Sequence, residues 1–111
     1  FFETDAGAEA TYSAPAHLEG APGIVHGGIQ ATLLDEVMCM TAYAKRGTLV
    51  VTGEITVRYT RPVPTDTAIV IRGRILEPKS KGAMIEGVIC LAETGEELTR
   101  AHGRFFALPP A

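Results

Sequence analysis

The stretch IVHGGIQATLLDEVMCMTAYAKRG, residues 24–47, decides the fold. From Ile29 to Arg46 it holds no Gly or Pro, while Gly27-Gly28 precede that run and Gly47 follows it. This is the punctuation of a helix over residues 29–46 closed by a glycine. Ile29, Ala31, Leu33, Leu34, Val37, Met38, Met40, Ala42 and Ala44 cover nearly every side of it. A helix apolar all round is expected to lie buried.

Working outward from that helix, the N-terminal side is irregular and the C-terminal side is extended. Residues 1–13 carry a weak extended pattern and end in Ser13 to Gly23, where two Pro and two Gly predict an irregular segment. After Gly47 the period changes to two, with extended runs over 48–60, 67–77, 83–93 and 97–107. Turn signals separate them at 61–66, 78–82 and 94–96. Ile55, Val57 and Tyr59 share a face opposite Glu54, Thr56 and Arg58, and Ile69, Ile71 and Ile75 oppose Arg72 and Arg74. Short links between successive strands predict antiparallel neighbours, hence a four-stranded meander. The expectation is an α+β domain over residues 1–111, a curved antiparallel sheet wrapped around one central α-helix.

Composition narrows the function. With 111 residues and 46% hydrophobic content the chain is one small domain, expected to associate with copies of itself to cover apolar surface. A net charge of −3 argues against a general nucleic-acid binder. Residues 1–44 hold six acids and no Lys or Arg, so counter-charges for an anionic ligand lie from Lys45 onward. Cys39 and Cys90 show no metal-ligand spacing and read as two buried, reduced thiols of a cytoplasmic protein. No apolar run approaches the roughly 20 residues of a membrane span. No leader pattern is read at the start of the sequence, which begins at Phe1 rather than Met.

The chemistry is concentrated in His26 to Glu36. Two glycines at a helix entrance leave its first N–H groups uncovered, a donor set suited to an anion or a polarised carbonyl oxygen. Asp35 follows Gly28 by seven residues, about 10 Å along the axis and about 20° around it, so both lie on one stripe. Ala31, Cys39 and Ala42 complete that stripe, and their small size leaves room for something to approach the helix. Glu36 lies about 100° away and is the alternative working carboxylate or an ion-pair partner. A Gly-Gly turn and an acidic pair on a solvated edge would give the same letters. What favours chemistry is an acid set in an otherwise apolar helix, since burying a carboxylate without a partner is costly.

HGGIQATLLDE at residues 26–36, followed by TGEITVRYTRPVP at 52–64, resembles the hotdog-fold acyl-CoA thioesterases, in particular the PaaI-like branch of the 4-hydroxybenzoyl-CoA thioesterase superfamily. The resemblance covers essentially the whole chain, and HGG with an Asp nine residues after the His is far more specific than a lone glycine pair. It implies a hotdog fold and hydrolysis of an acyl- or aryl-CoA to free acid and coenzyme A, with coenzyme A as part of the substrate and no separate cofactor. The Gly28 N–H would polarise the thioester carbonyl, His26 and Gly27 would shape the receiving loop, and Asp35 would act as general base or nucleophile. Thr52 matches a position where similar enzymes hold a Ser or Thr that helps place water.

The resemblance further implies a homodimer or homotetramer whose site lies across the dimer interface. Related enzymes commonly carry Asn about six residues before the His, whereas Gly20 stands there with Glu19 beside it. Coenzyme A phosphates would be met by Lys79, Ser80 and Lys81, then by Arg58 and Arg61, unless these are simply solvated turn and edge charges. Leu34, Met38 and Tyr43 are candidates for the acyl pocket. His17 reads as a loop residue and His102 as a strand-face side chain, and with His26 they offer no metal-ligand spacing. Two other readings stay open: a hotdog dehydratase or hydratase, and a non-catalytic acyl-CoA-binding domain.

Overall fold

In the computed structural model, residues 1–109 are described. Two strands, β1 (Phe2–Glu3) and β2 (Gly7–Tyr12), lead through a 3-10 turn at Ala16–Leu18 to the helix α1 (Gly27–Arg46). Strands β3 (Val50–Tyr59), β4 (Ile69–Lys79), β5 (Gly82–Leu91) and β6 (Glu97–Ala107) follow. All pair antiparallel in one sheet of order β1-β2-β4-β5-β6-β3, which wraps the helix as the α+β expectation requires.

The helix begins two residues earlier than expected, because His26 caps it: the Gly28 N–H donates to His26 Nδ1 at 2.9 Å. That bond fills one of the free donors of the first turn and lets both glycines adopt helical geometry. At the other end Gly47, with φ of 64°, takes the left-handed conformation that terminates helices and donates its N–H to Tyr43 O.

Two expectations need correction. First, the helix is not buried all round. Gln30, Leu34, Val37, Met38, Thr41 and Ala42 face the core, while Gly28, Thr32, Glu36 and Tyr43 are exposed. Ala42 therefore does not share the open side with Asp35. The helical pattern drifts about 20° per heptad, so two heptads after Gly28 it has turned toward Met38 and the core. Second, the four strands are not a simple meander. β4, β5 and β6 form successive hairpins, but β3 pairs with β6 at the far edge, and β2 takes the place beside β4. The link from β3 to β4 joins strands that are not neighbours, and it is stitched to the irregular segment: Val25 N donates to Val63 O, and Asp66 N to Ala14 O.

The helix approaches the sheet closely at two paired glycines, Gly73 on β4 and Gly87 on β5. A Cβ at Gly73 would lie 2.2 Å from Thr41 Oγ1, and one at Gly87 would lie 2.9 Å from Met38 Sδ. Missing side chains therefore set how deep Leu34, Met38 and Thr41 can sink. The N-terminal half of the helix is tied down by a buried polar link: Thr99 Oγ1 donates to Gln30 Oε1 at 2.6 Å, and Gln30 Nε2 donates to Val25 O at 3.0 Å. Every buried side-chain N or O among the described residues has a partner.

Candidate active site

Asp35 lies on the open stripe of α1, half-buried, on the side that faces β3. Its Oδ1 accepts a 2.5 Å hydrogen bond from Thr52 Oγ1. This contact depends on an irregularity in β3. Strict alternation would place Thr52 with Glu54, Thr56 and Arg58, away from the helix. The register slips between Thr52 and Glu54, so that Thr52 pairs with Phe105 and Glu54 with Arg104. One extra residue is absorbed there as a bulge, and Thr52 joins Ile55, Val57 and Tyr59 on the inner face. The bulge sits at Gly53, where a Cβ would be 2.1 Å from the Phe106 ring.

One turn further along α1, Cys39 Sγ lies 3.9 Å from Thr52 Oγ1. The threonine thus sits between a carboxylate and a thiol. Burial pushes the Cys39 thiol above its usual value, the charge of Asp35 adds to this, and the Thr52 hydrogen bond opposes it. Cys39 is half-buried rather than buried, whereas Cys90 lies in the interior, and both are free thiols. A thiol held protonated is a poor nucleophile.

The Gly28 end is closed within its own chain, its N–H being taken by His26 Nδ1, and the Gly27 carbonyl accepts from Tyr59 OH at 2.7 Å. Gly20 packs against His26, with the position of a Cβ only 3.3 Å from His26 Cα, and Glu19 Oε2 accepts from Gly23 N instead of reaching the imidazole. Seven residues of helix separate Gly28 from Asp35, about 10 Å. Within one chain they cannot both touch one thioester carbonyl. Glu36 is exposed and borders a hollow of about 220 Å³ beside Tyr12 and Leu33, away from Thr52.

The basic candidates fall into two groups. Lys79, Ser80 and Lys81 border a groove of about 510 Å³ at the β4–β5 turn with Met84, Arg104 and Phe106, and Lys79 is paired with Glu77. Arg58 and Arg61 lie by the other end of β3, about 20 Å or more away at strand rise, and Arg61 is paired with Glu96. The structure does not bring the two groups together in one chain. Leu34 and Met38 are fully buried under the sheet, which removes them from an open acyl pocket, while Tyr43 is exposed. His102 lies on the exposed face of β6 and His17 in the 3-10 turn, also exposed. Among the described residues no three His, Cys, Asp or Glu gather as a metal site, and no helix is long and apolar enough to cross a membrane. Reading residues one by one missed Tyr59, Gln30 and Thr99. The signal available for Tyr59 was its place on the Ile55–Val57 face.

A single long helix cradled in an antiparallel sheet, with a carboxylate on its open stripe and a glycine turn at its start, is the hotdog architecture. Residues 22–97 match the family described as the thioesterase superfamily, and the chain belongs to that family. Acyl-coenzyme A thioesterase THEM4 of Rattus norvegicus is 28% identical over 94 residues, 85% of this chain and 40% of the relative. The chain thus spans well under half of that relative's length.

Among solved structures, a hypothetical thioesterase from Streptococcus pneumoniae TIGR4 with coenzyme A superposes with a TM-score of 0.87 at 20% identity, covering 96% of this chain and 82% of that one. The E. coli PaaI protein superposes with a TM-score of 0.83 at 17% identity, over 95% of this chain and 79% of that one. At such identities the likeness is one of fold.

Proposed function

We propose that the chain hydrolyses an acyl- or aryl-coenzyme A thioester to a free acid and coenzyme A. The observation that carries this is the Asp35–Thr52 pair on the open stripe of α1. Thr52 and Asp35 together can hold a water molecule, and Asp35 can take its proton or attack the carbonyl itself. The carbonyl oxygen gains charge as the tetrahedral intermediate forms, and a fixed N–H at a helix start stabilises such charge by roughly 3–4 kcal/mol. Because Gly28 and Asp35 are too far apart within one chain, the working site combines Asp35 and Thr52 of one copy with His26, Gly27 and Gly28 of a second. The incoming oxygen takes the place of His26 Nδ1 on the Gly28 N–H.

Exposed Tyr43, Leu49, Val51 and Tyr59 beside the free edge of β3 support a homodimer there. Back-to-back pairing of dimers into a tetramer would use the outer sheet face. Lys79, Ser80 and Lys81, with Arg104 and Phe106, suit the phosphates and adenine of the nucleotide, and a groove of about 510 Å³ is large enough for part of it. Arg58 and Arg61 are nearer the Gly27 end and would serve a partner's ligand. The two free thiols support a reducing compartment such as the cytoplasm. The name of the rat relative and the coenzyme A bound to the streptococcal neighbour support the substrate class.

Free-thiol release from a series of short, long and aromatic acyl-CoAs tests this reading. The wild type releases thiol, and Asp35→Asn lowers kcat at least about 100-fold while circular dichroism is unchanged. Undiminished turnover in Asp35→Asn overturns the assignment. Absorbance change on an enoyl-CoA without thiol release would instead mark a hydratase, and affinity without turnover a binding module.

A further inference from the structure

We infer that Phe106 is a positioning residue for Thr52, its ring lying over Gly53 and so fixing the bulge in β3 that turns the Thr52 hydroxyl toward Asp35. This deepens the thioesterase reading above and rests on it. Thr52 is exposed, so burial does little to orient it, and its hydroxyl reaches Asp35 Oδ1 only because the strand slips by one residue just after it. Gly53 absorbs that slip and has no partner on β6. A bulged residue outside the ladder lacks the paired hydrogen bonds that hold a strand in shape. Glycine adds the widest backbone freedom of any residue. Something other than the ladder must therefore hold the piece of chain that aims Thr52.

The Phe106 ring is placed to do so. A Cβ at Gly53 would lie 2.6 Å from Phe106 Cδ2 and closer still to Cε2, so the ring fills the volume where a side chain of residue 53 would stand. The φ of Gly53 is not positive, unlike that of Gly23, Gly47, Gly82 and Gly95. Its backbone does not call for glycine; the approach of the ring does. An aromatic side chain laid across a glycine on the neighbouring strand supplies the packing that the glycine lacks. The ring also stands on a firm base. Phe106 is in register with Val51 of β3 on one side and Gly82 of β5 on the other, and just beyond it Ala107 N donates to Lys81 O and Leu108 N to Leu49 O. Phe106 is 52% exposed, so its ring is not there to fill the core.

The test compares Phe106→Ala with Phe106→Tyr, which keeps the ring. On an acyl-CoA, Phe106→Ala should lower kcat about 3- to 10-fold, the worth of one hydrogen bond, while Phe106→Tyr stays close to wild type. The same drop is expected on the acyl-pantetheine, which lacks the nucleotide that the neighbouring groove of Lys79, Ser80 and Lys81 would hold. In a Thr52→Val background Phe106→Ala should cost nothing further, because the hydroxyl it aims is gone. Without substrate, Phe106→Ala should raise the pH midpoint of Cys39 alkylation, as loss of the Thr52 bond to that thiol does. A Phe106→Ala enzyme with unchanged kcat overturns the role, and so does an unmoved Cys39 midpoint. A loss confined to acyl-CoA assigns the ring to the nucleotide and overturns it too. A loss that persists in full in the Thr52→Val background marks general loosening and also overturns it. A wild-type chain that releases no thiol from any acyl-CoA overturns the thioesterase reading and this role with it. Wild-type turnover with Phe106→Ala unchanged overturns this role alone.

Discussion

Thr52 stands between the acid and the thiol of the open stripe, and each neighbour reports on the other. The Cys39 thiol is held above its usual value by burial first and the Asp35 charge second, while the Thr52 bond pulls it down. Replacing Asp35 by Asn removes a negative charge that disfavours thiolate, so the Cys39 pKa should fall. Replacing Thr52 by Val removes a bond that favours thiolate, so it should rise. The pH midpoint of Cys39 alkylation, followed by mass spectrometry in a Cys90→Ala background, should move down in the first variant and up in the second. Opposite signs from the residue that carries the hydroxyl and the acid that accepts from it would be hard to obtain from general loosening of the site. The measurement needs no substrate and reads the local electrostatics directly.

At the scale of elements, the depth of the helix is set by the glycine pair on the two central strands. Gly73→Ala places a methyl against Thr41 Oγ1 and within 3.2 Å of the Val37 carbonyl, and the second contact is backbone that cannot swing aside. The expected loss is about 1–3 kcal/mol, seen as a lower urea midpoint with an unchanged slope. The helix, its closing glycine and all four long strands were legible, because each is announced by periodicity or by a turn residue. Strand order was not: pairing of β3 with β6 is decided by where the crossing link is stitched, and that depends on Val63 and Asp66 meeting residues far away in the chain. Asp35 was legible as an acid on an apolar helix. The facing of Thr52 was not legible from alternation, which points it outward, and only the family resemblance singled it out. Tyr59 was placed on the correct face, but nothing in its neighbours told of a bond to Gly27.

For the molecule as a whole, the two faces of the sheet differ in kind. The inner face carries the core against the helix. The outer face carries Arg72 paired with Glu9, and Glu86 shared between Arg74 and Arg100, which is also held by Glu97. These exposed pairs contribute little stability each, and they set the polarity of that face. Exposed apolar side chains lie at both edges of the sheet: Phe1 and Phe2 at the β1 edge, and a second group at the β3 edge and the end of α1, where Tyr43 is 52% and Leu49 63% exposed. If two copies meet there and share the site, Tyr43→Glu should shift the chain to a monomer by sedimentation and reduce thiol release together, with the secondary structure kept. A monomer with full turnover would show that one copy suffices.

The slip in β3 changes how other chains of this shape should be compared. Here the hydroxyl that meets the acid sits three positions before the next inward side chain, Ile55, rather than two. An aligned sequence lacking a counterpart of Gly53 would carry its hydroxyl at the ordinary offset and aim it the same way. A one-residue gap at that spot is therefore a difference in strand shape, and it does not by itself mean that the hydroxyl has been lost.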